Sequence, residues 1–415
     1  MGRFRRVAIV GAGAAGTMAA IFAASSDAET LLLERTPDGG RKILISGGGR
    51  CNLLPMRADP ARFVTESPPR TLQRMLRSWP LRDQRIFFEE ELGVPLVEEA
   101  ESGKLFPASH RARDVRDALL GLARRRGVQF RPDSLVTNLA PGRERWTISL
   151  EGSPPLEADA VVVAAGGQSV PKSGSDGMLL PVLAGLGHTL LPTYPALTPL
   201  TAPPSAFSGL SGLSLPVELT AEGGGRTAAA SGGFLFTHRG YSGPAVLDVS
   251  HVLVRDQSAR LSVRWSELDE GGWRELLRPA GSRTVAAALR RRLPDRLAEA
   301  IARSAGVEPV LSLAQLTREG RLRLVEALAR GTLPCIGHEG YARAEVTGGG
   351  VSLDDVDPST LESRKAPGLF LCGEILDAFG PIGGHNFQWA WATGRAAGLG
   401  AARPGSPSPS SPASG

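Results

Sequence analysis

The chain of 415 residues is short of cysteine, lysine and tyrosine. Its three cysteines, Cys51, Cys335 and Cys372, are far apart and odd in number, and no C-x-x-C occurs. That argues against a disulfide framework and against a zinc or cluster site, so no metal is expected and a reducing cytoplasm fits best. Of 47 basic residues only Lys42, Lys104, Lys172 and Lys365 are lysines. The net charge of +5 therefore reads first as arginine-rich compositional bias. The densest runs, "ARRRG" (Ala123 to Gly127) and "LRRRLPDR" (Leu289 to Arg296), are read as solvated helix faces, with an anionic partner as the alternative.

Long apolar runs are lacking too. The N-terminus has the outline of a signal peptide or membrane span, a basic "MGRFRR" before twenty uncharged residues. Gly11, Gly13 and Gly16 break that run, and an acidic residue follows where a dinucleotide fold places one. No stable membrane association is expected. No internal repeat is present. The segment "RPGSPSPSSPASG" (Arg403 to Gly415) cannot bury enough apolar surface to order itself and reads as a disordered tail.

What the chain has is glycine, 51 residues of it. "RRVAIVGAGAAGTMAAIFAASS" reads as a buried strand, a tight turn and an Ala-rich helix, and "ETLLLER" as a second buried strand carrying Glu34. Gly11, Gly13 and Gly16 form G-x-G-x-x-G between strand and helix. Gly11 permits the turn, Gly13 lets backbone approach a pyrophosphate, and Gly16 lets helix and strand pack, while Ala14 and Ala15 open the helix toward the phosphates. Glu34 suits an unphosphorylated adenosine ribose, with Arg35 beside it. A second cluster, "KILISGGGRCN" (Lys42 to Asn52), follows closely.

Further buried strands are expected at "ADAVVVAAGG" (Ala158 to Gly167) and "GLFLCGE" (Gly368 to Glu374), the latter followed by "ILDAFGPIGGHNFQWAWATG". Between them, Leu190 to Trp265 looks strand-rich and Ser266 to Gly331 helical. We expect an α/β protein with a Rossmann-type FAD-binding domain built from both chain ends. Its first segment spans 1–189 and its second 347–402. A β-rich insertion, 190–265, is completed by about 334–346, and a helical insertion occupies 266–333. The return of the chain selects FAD over NAD, because an NAD domain is usually contiguous. Glu374 would hold a ribityl hydroxyl, and Gly383 and Gly384 would bring backbone to the isoalloxazine. A helix starting near Asn386 would aim its positive end at the flavin N1/O2 edge.

"GAGAAG", "GRKILISGGGRCN", "GKLFPASHRARDV", "FLFTHRGYSGPAVLDVS", "EVTGGGVSL" and "TLESRKAPGLFLCGEILDAFGPIGGHNFQWAWATG" together resemble the BaiN/RdsA-like NAD(P)/FAD-dependent oxidoreductases, over about residues 5 to 400. The resemblance implies a two-segment FAD domain with a β-barrel-like and a helical insertion. It also implies a flavin redox enzyme that saturates an activated C=C bond of a small molecule, with ribosomal RNA as the other substrate class. Departures are His385 where the family usually has Tyr, a shortened Gly174 to Gly185, and no polar pair after Leu53.

The expected cofactor shell therefore contains Gly11, Gly13, Ala14, Ala15, Gly16, Glu34 and Arg35. Arg41 or Lys42 would sit near phosphate, and Ser46, Gly47, Gly48, Gly49, Cys51 and Asn52 form a cradle like that of fumarate-reductase-type flavoproteins. Val136, Ala165, Gly166, Gly373, Glu374, Gly383, Gly384, His385, Asn386 and Gln388 complete it. Cys51 is read as packing rather than as a nucleophile. The catalytic candidates are His238, Arg239 and Tyr241, with His385. The first three stand equally well as a locally bonded turn, and His385 equally well as packing. His110 with Arg111 and Arg113 reads as a helix start, and His188, His251 and His338 as structural. With only one fingerprint present, either NAD(P)H docks transiently over the flavin or the electrons come from elsewhere. A flavin-binding protein without catalysis is the remaining alternative; oligomeric state is left open.

Overall fold

A computed structural model describes residues 5–403 apart from 27, 101–102, 205–206, 208 and 280. The expected tail beyond Arg403 lies outside the described residues. The chain divides into two compact units, one from the chain before Tyr194 and after Glu345, the other Tyr194–Glu345.

In the first unit, strand β1 (Arg6–Val10) is an apolar run buried along nearly its whole length. Such a run suits a parallel sheet covered on both faces. It joins β2 (Glu29–Leu33), β3 (Gln129–Arg131), β4 (Ala160–Val163) and β5 (Leu369–Leu371) in the order β5-β4-β1-β2-β3. Every pair is parallel. The register sets Val10 beside both Leu33 and Val163, and Val163 beside Leu371. Gly11, Glu34, Ala164 and Cys372 therefore leave the sheet side by side at its carboxyl edge. Open α/β sheets bind ligands at that edge. Both chain ends are needed to build it.

Helix α1 (Ala14–Ala24) follows β1, α2 (Arg41–Ile45) follows β2, and α3 (Ala112–Arg125) precedes β3. The last helix, α4 (His385–Ala402), lies against α1 at backbone distance. A Cβ added at Gly394 would come 2.4 Å from the Ala15 carbonyl oxygen, and one at Gly398 2.2 Å from that of Ala19. Small residues four apart on one face permit this approach, and any larger residue would force the helices apart. Two three-stranded antiparallel sheets also belong to the unit, one of them a meander of Val136–Pro141, Trp146–Leu150 and Ser153–Ala158, and the strand Val346–Val351 pairs with Leu190–Ala196. Val136 is buried in the meander.

The second unit holds a seven-stranded antiparallel sheet. Its edges are Gly331–Leu333 and Gly337–His338. A flat sheet of that width would separate its edges by roughly 29 Å. Leu333 and Gly337 are so close in sequence that the chain between them spans at most about 14 Å. The sheet must therefore curl, although no hydrogen-bonded ladder joins the two edges. The barrel-like expectation is corrected in this respect: the curl is there and closure is not. Helices of the segment expected as a separate helical insertion share the sheet's core, where Trp265, Trp273, Leu297 and Leu324 are buried together. Three of them are capped at the N-terminus by the Asp269, Thr284 and Thr317 side chains, while Asp295–Ser304 follows Pro294 without a side-chain cap. No helix among the described residues is long and apolar enough to cross a membrane.

Candidate functional site

The three fingerprint glycines are needed for different reasons. Gly11 has φ +100°, and a Cβ there would lie 2.6 Å from the Ala164 carbonyl oxygen. A Cβ at Gly16 would lie 1.8 Å from the Gly11 carbonyl oxygen. Gly13 has ordinary extended angles, φ −77° and ψ −167°, and a Cβ there would meet nothing within 4 Å. Neither conformation nor protein packing demands glycine at 13; an approaching ligand would. Helix α1 has no side-chain cap and no acidic residue in its first turn, so its first N–H groups face the same opening. Ala14 and Ala15 form that turn.

Glu34 is buried. Its Oε2 accepts from Ala12 N at 2.7 Å, and its Oε1 from Thr36 N at 2.9 Å and Thr36 Oγ1 at 2.7 Å. The carboxylate thus holds the glycine turn with about one lone-pair site left for a ribose hydroxyl. Thr36 was not anticipated. Arg35 pairs with Asp176, near Gly174. Ala165 and Gly166 follow β4; Gly166 has φ +75°, and a Cβ there would lie 2.5 Å from Ser175 Oγ.

The second cluster is a short helix and a tight turn rather than an open loop. After α2, Gly47, Gly48 and Gly49 take φ of +55°, +67° and +86°, and Cys51 takes +61°. Left-handed backbone favours glycine, and a cysteine held there is strained. The turn is closed by Cys51 N donating to the Ser46 carbonyl at 3.1 Å, while Ser46 Oγ donates to the Ile43 carbonyl at 2.7 Å. Burial pushes the Cys51 thiol up to about 12, against a hydrogen bond with Ser46. Arg50 points instead to Glu99 and lies over the Phe106 ring, so it does not activate the thiol. Of the basic pair, Arg41 is engaged by Asp38 at 2.8 Å, and Lys42 reaches Glu374 at 2.6 Å and Ser169 Oγ at 2.7 Å.

In the C-terminal return, Gly373 has φ +78°, and a Cβ there would lie 2.7 Å from that of Ala15. Gly383 and Gly384 have φ of +119° and +89°. A Cβ at Gly384 would lie 2.5 Å from the Leu54 backbone, and Trp391 Nε1 donates to the Leu53 carbonyl at 3.2 Å. This seam joins the segment that follows Asn52 to the start of α4. Beside it Asn52 Oδ1 and Gln388 Oε1 are buried without hydrogen bonds, and the His385 ring nitrogens have at most a poorly aligned one, to the Ile382 backbone. Burial first, then Arg62, lowers the His385 pKa to about 4, opposed by Asp59 and the Ile382 carbonyl. Asn386 turns away from this group, its amide used twice by the Gly380 backbone at 2.9 Å.

In the second unit, His238 and Arg239 are exposed on a turn held by Thr237 Oγ1, which accepts from Arg239 N and Gly240 N. Tyr241 does not join them. It lies on the strand Gly240–Ser242, fully buried against Phe234 and Phe236, with burial raising its phenol pKa and no partner for its hydroxyl. A groove of about 620 Å³ lies elsewhere, lined in part by Trp265, Arg323 and Arg330. Arg330 is paired with Glu270 and Glu326. His110 precedes α3 and stacks near Phe106; His188 is a buried structural residue bonded to the Leu183 carbonyl and Ser363.

The family of HI0933-like protein Rossmann domains matches residues 5–400. The chain belongs to this family of FAD-dependent oxidoreductases. The ribosomal RNA dihydrouridine synthase of Escherichia coli K12 is 32% identical over 398 residues, covering 95% of this chain and 96% of the relative. The 3-dehydro-bile acid delta(4,6)-reductase of Clostridium scindens is 31% identical over 409 residues, 96% and 99% of the two chains. The solved 3-ketosteroid-delta4-(5alpha)-dehydrogenase of Rhodococcus jostii RHA1 shares the fold at TM-score 0.51 and 16% identity, over 97% and 98% of the two chains. For an HI0933-like oxidoreductase the residues present fit FAD. The unfilled side of Gly13 and the uncapped α1 suit a pyrophosphate, and the buried, poorly satisfied polar atoms of Asn52, His385 and Gln388 suit a polar ring edge. Ser169 and Thr347 were missed at the sequence level, because Ser169 lies 127 residues from Lys42, 178 from Thr347 and 205 from Glu374.

Proposed function

We propose that this HI0933-like enzyme reduces a C=C bond conjugated to a carbonyl group in a small molecule, with NAD(P)H as the electron donor. Both curated relatives support that class, since forming dihydrouridine and removing a bile-acid double bond each saturate such a bond. FAD, when bound, supplies the redox chemistry. The protein's part is to bind and orient. Gly11, Gly13 and Gly16 with the α1 N-terminus hold the pyrophosphate, and Glu34 the ribose. Asn52, His385 and Gln388 would hydrogen-bond the ring, and their buried, poorly satisfied polar atoms are the observation that carries the cofactor part of the reading. With its pKa near 4, His385 is neutral at pH 7, so it offers one N–H and one lone pair and no proton for transfer. His238 and Arg239 remain the candidates for proton delivery and substrate holding; Tyr241, buried among rings, is a poor third.

The second reading, RNA as substrate, rests on the 32% identical synthase. One experiment separates the two. The purified holoprotein is mixed anaerobically with NADH or NADPH, and flavin bleaching is followed. A conjugated steroid ketone or ribosomal RNA is then added to the reduced enzyme. Recovery of colour with the ketone supports the first reading, and recovery with RNA alone supports the second. Absence of bleaching with either nucleotide removes NAD(P)H as donor.

A further inference from the structure

Lys42, Ser169 and Glu374 form a closed triangle of hydrogen bonds. Lys42 Nζ donates to Glu374 Oε2 at 2.6 Å and to Ser169 Oγ at 2.7 Å, and Ser169 Oγ donates to Glu374 Oε1 at 2.6 Å. Glu374 Oε1 also accepts from Thr347 N at 3.0 Å. Thr347 Oγ1 in turn accepts from the N–H groups of Gln168 at 2.7 Å and Ser169 at 3.1 Å. Four stretches of chain meet here: α2 before the second glycine cluster, the loop after β4, the strand Val346–Val351, and the return after β5.

The backbone around the triangle is forced. Val170, next to Ser169, has φ +49° and ψ +64°, a left-handed conformation that a β-branched residue strongly disfavours. A Cβ at Gly167 would lie 2.4 Å from Thr347 Oγ1 and 2.9 Å from Glu374 Oε1. Strain of this kind persists only where the surroundings over-determine it, and it concentrates at functional sites. The triangle and Thr347 N together take three of Glu374's roughly four lone-pair sites, which leaves about one for a ribityl hydroxyl. Two of the three Lys42 ammonium hydrogens are engaged within the triangle, so its charge is fixed in place.

We propose that Lys42 and Ser169 are positioning residues, which with Glu374 lock the second glycine cluster to the C-terminal return and so set the shape of the FAD cradle. The role rests on FAD occupying this edge of the sheet. Ion pairs that are mostly removed from water and completed by hydrogen bonds hold geometry well, and removing one partner leaves the other uncompensated. The three side chains should therefore act as one unit.

The test uses the full-length protein. FAD dissociation constants, the visible absorbance band of bound flavin and the thermal midpoint without flavin are measured for Lys42→Met, Lys42→Arg, Ser169→Ala, Glu374→Gln and the Lys42→Met/Glu374→Gln pair. Loss of the lock predicts an FAD affinity weakened by about tenfold or more for Lys42→Met. Lys42→Arg, which keeps the charge, should recover part of it. The absorbance band should shift, a change that general destabilisation would not produce. The double variant should be no weaker than the worse single, because the members act together. Ser169→Ala keeps both charges and decides the matter should Lys42→Met not fold. FAD affinity and band shape equal to wild type in Lys42→Met or Ser169→Ala, or full additivity in the pair, would overturn the proposal. A wild-type protein that takes up no FAD would instead overturn the cofactor reading on which it rests.

Discussion

The two glycine clusters sit at neighbouring places on the same sheet edge and use glycine differently. In Gly11 to Gly16, two glycines are demanded by the protein itself: Gly11 by its φ and both by backbone a few ångströms away. Only Gly13 is left to a ligand. In Gly47 to Gly49 all three residues have positive φ, and a Cβ at Gly48 would meet nothing within 4 Å. The first turn is a packing joint with one open position. The second is a conformational turn, closed by Cys51 N on the Ser46 carbonyl and Arg50 N on the Gly47 carbonyl, with open space beside Gly48. A spacing rule describes a joint well, because each glycine answers to a fixed neighbour. It describes the turn poorly, because what that turn faces is supplied by distant chain.

The sharpest break of this comparison is Gly16→Ala. Its new methyl would collide with the Gly11 carbonyl, and we expect a loss of about 3 kcal/mol or more, or no folded protein, in urea melts. A melt close to wild type would remove the distinction between joint and turn. Next is the pH response of the flavin-free chain. The folded His385 pKa of about 4 lies below the unfolded value of 6.5, so the unfolded chain binds the proton first as pH falls. Stability is therefore full above about pH 6.5 and is lost between there and pH 4, by up to about 3 kcal/mol. His385→Phe should flatten that slope, and an unchanged slope would mean that other groups carry it. Gly48→Val follows, with a cost of about 1–2 kcal/mol from left-handed strain alone, together with loss of retained FAD on gel filtration. The smallest change in stability should come from Gly13→Ala, within about 0.5 kcal/mol of wild type. Its FAD affinity should nonetheless fall sharply in a fluorescence titration. Unchanged affinity would show that Gly13 faces no cofactor.

Much of the first unit was legible before any coordinates. Buried apolar runs marked β1, β2, β4 and β5, and the register then aligned their ends without further information. The same spacing placed Glu34 beside the turn. The second unit was less legible. Tyr241 was grouped with His238 and Arg239 by proximity in the chain, yet strand pairing with Leu200 and Phe236 carries it into the core. The segment expected to be a separate helical insertion shares its core with the sheet, since amphipathic helices do not state which face they will meet.

The amino-acid sequence alone determined the glycine turn, its acidic partner and the two-ended Rossmann sheet, because these depend on backbone sterics and hydrophobic period over a few neighbouring residues. Tertiary structure decided that Lys42 belongs to Glu374 and Ser169, that Arg50 leaves Cys51 alone, and that the curled sheet stays open. Those outcomes depend on which distant groups share a desolvated space. Lys42 is separated from Ser169 by 127 residues and from Glu374 by 332. Over such distances a charge has no local signal of its partner, and only packing of the folded chain selects one.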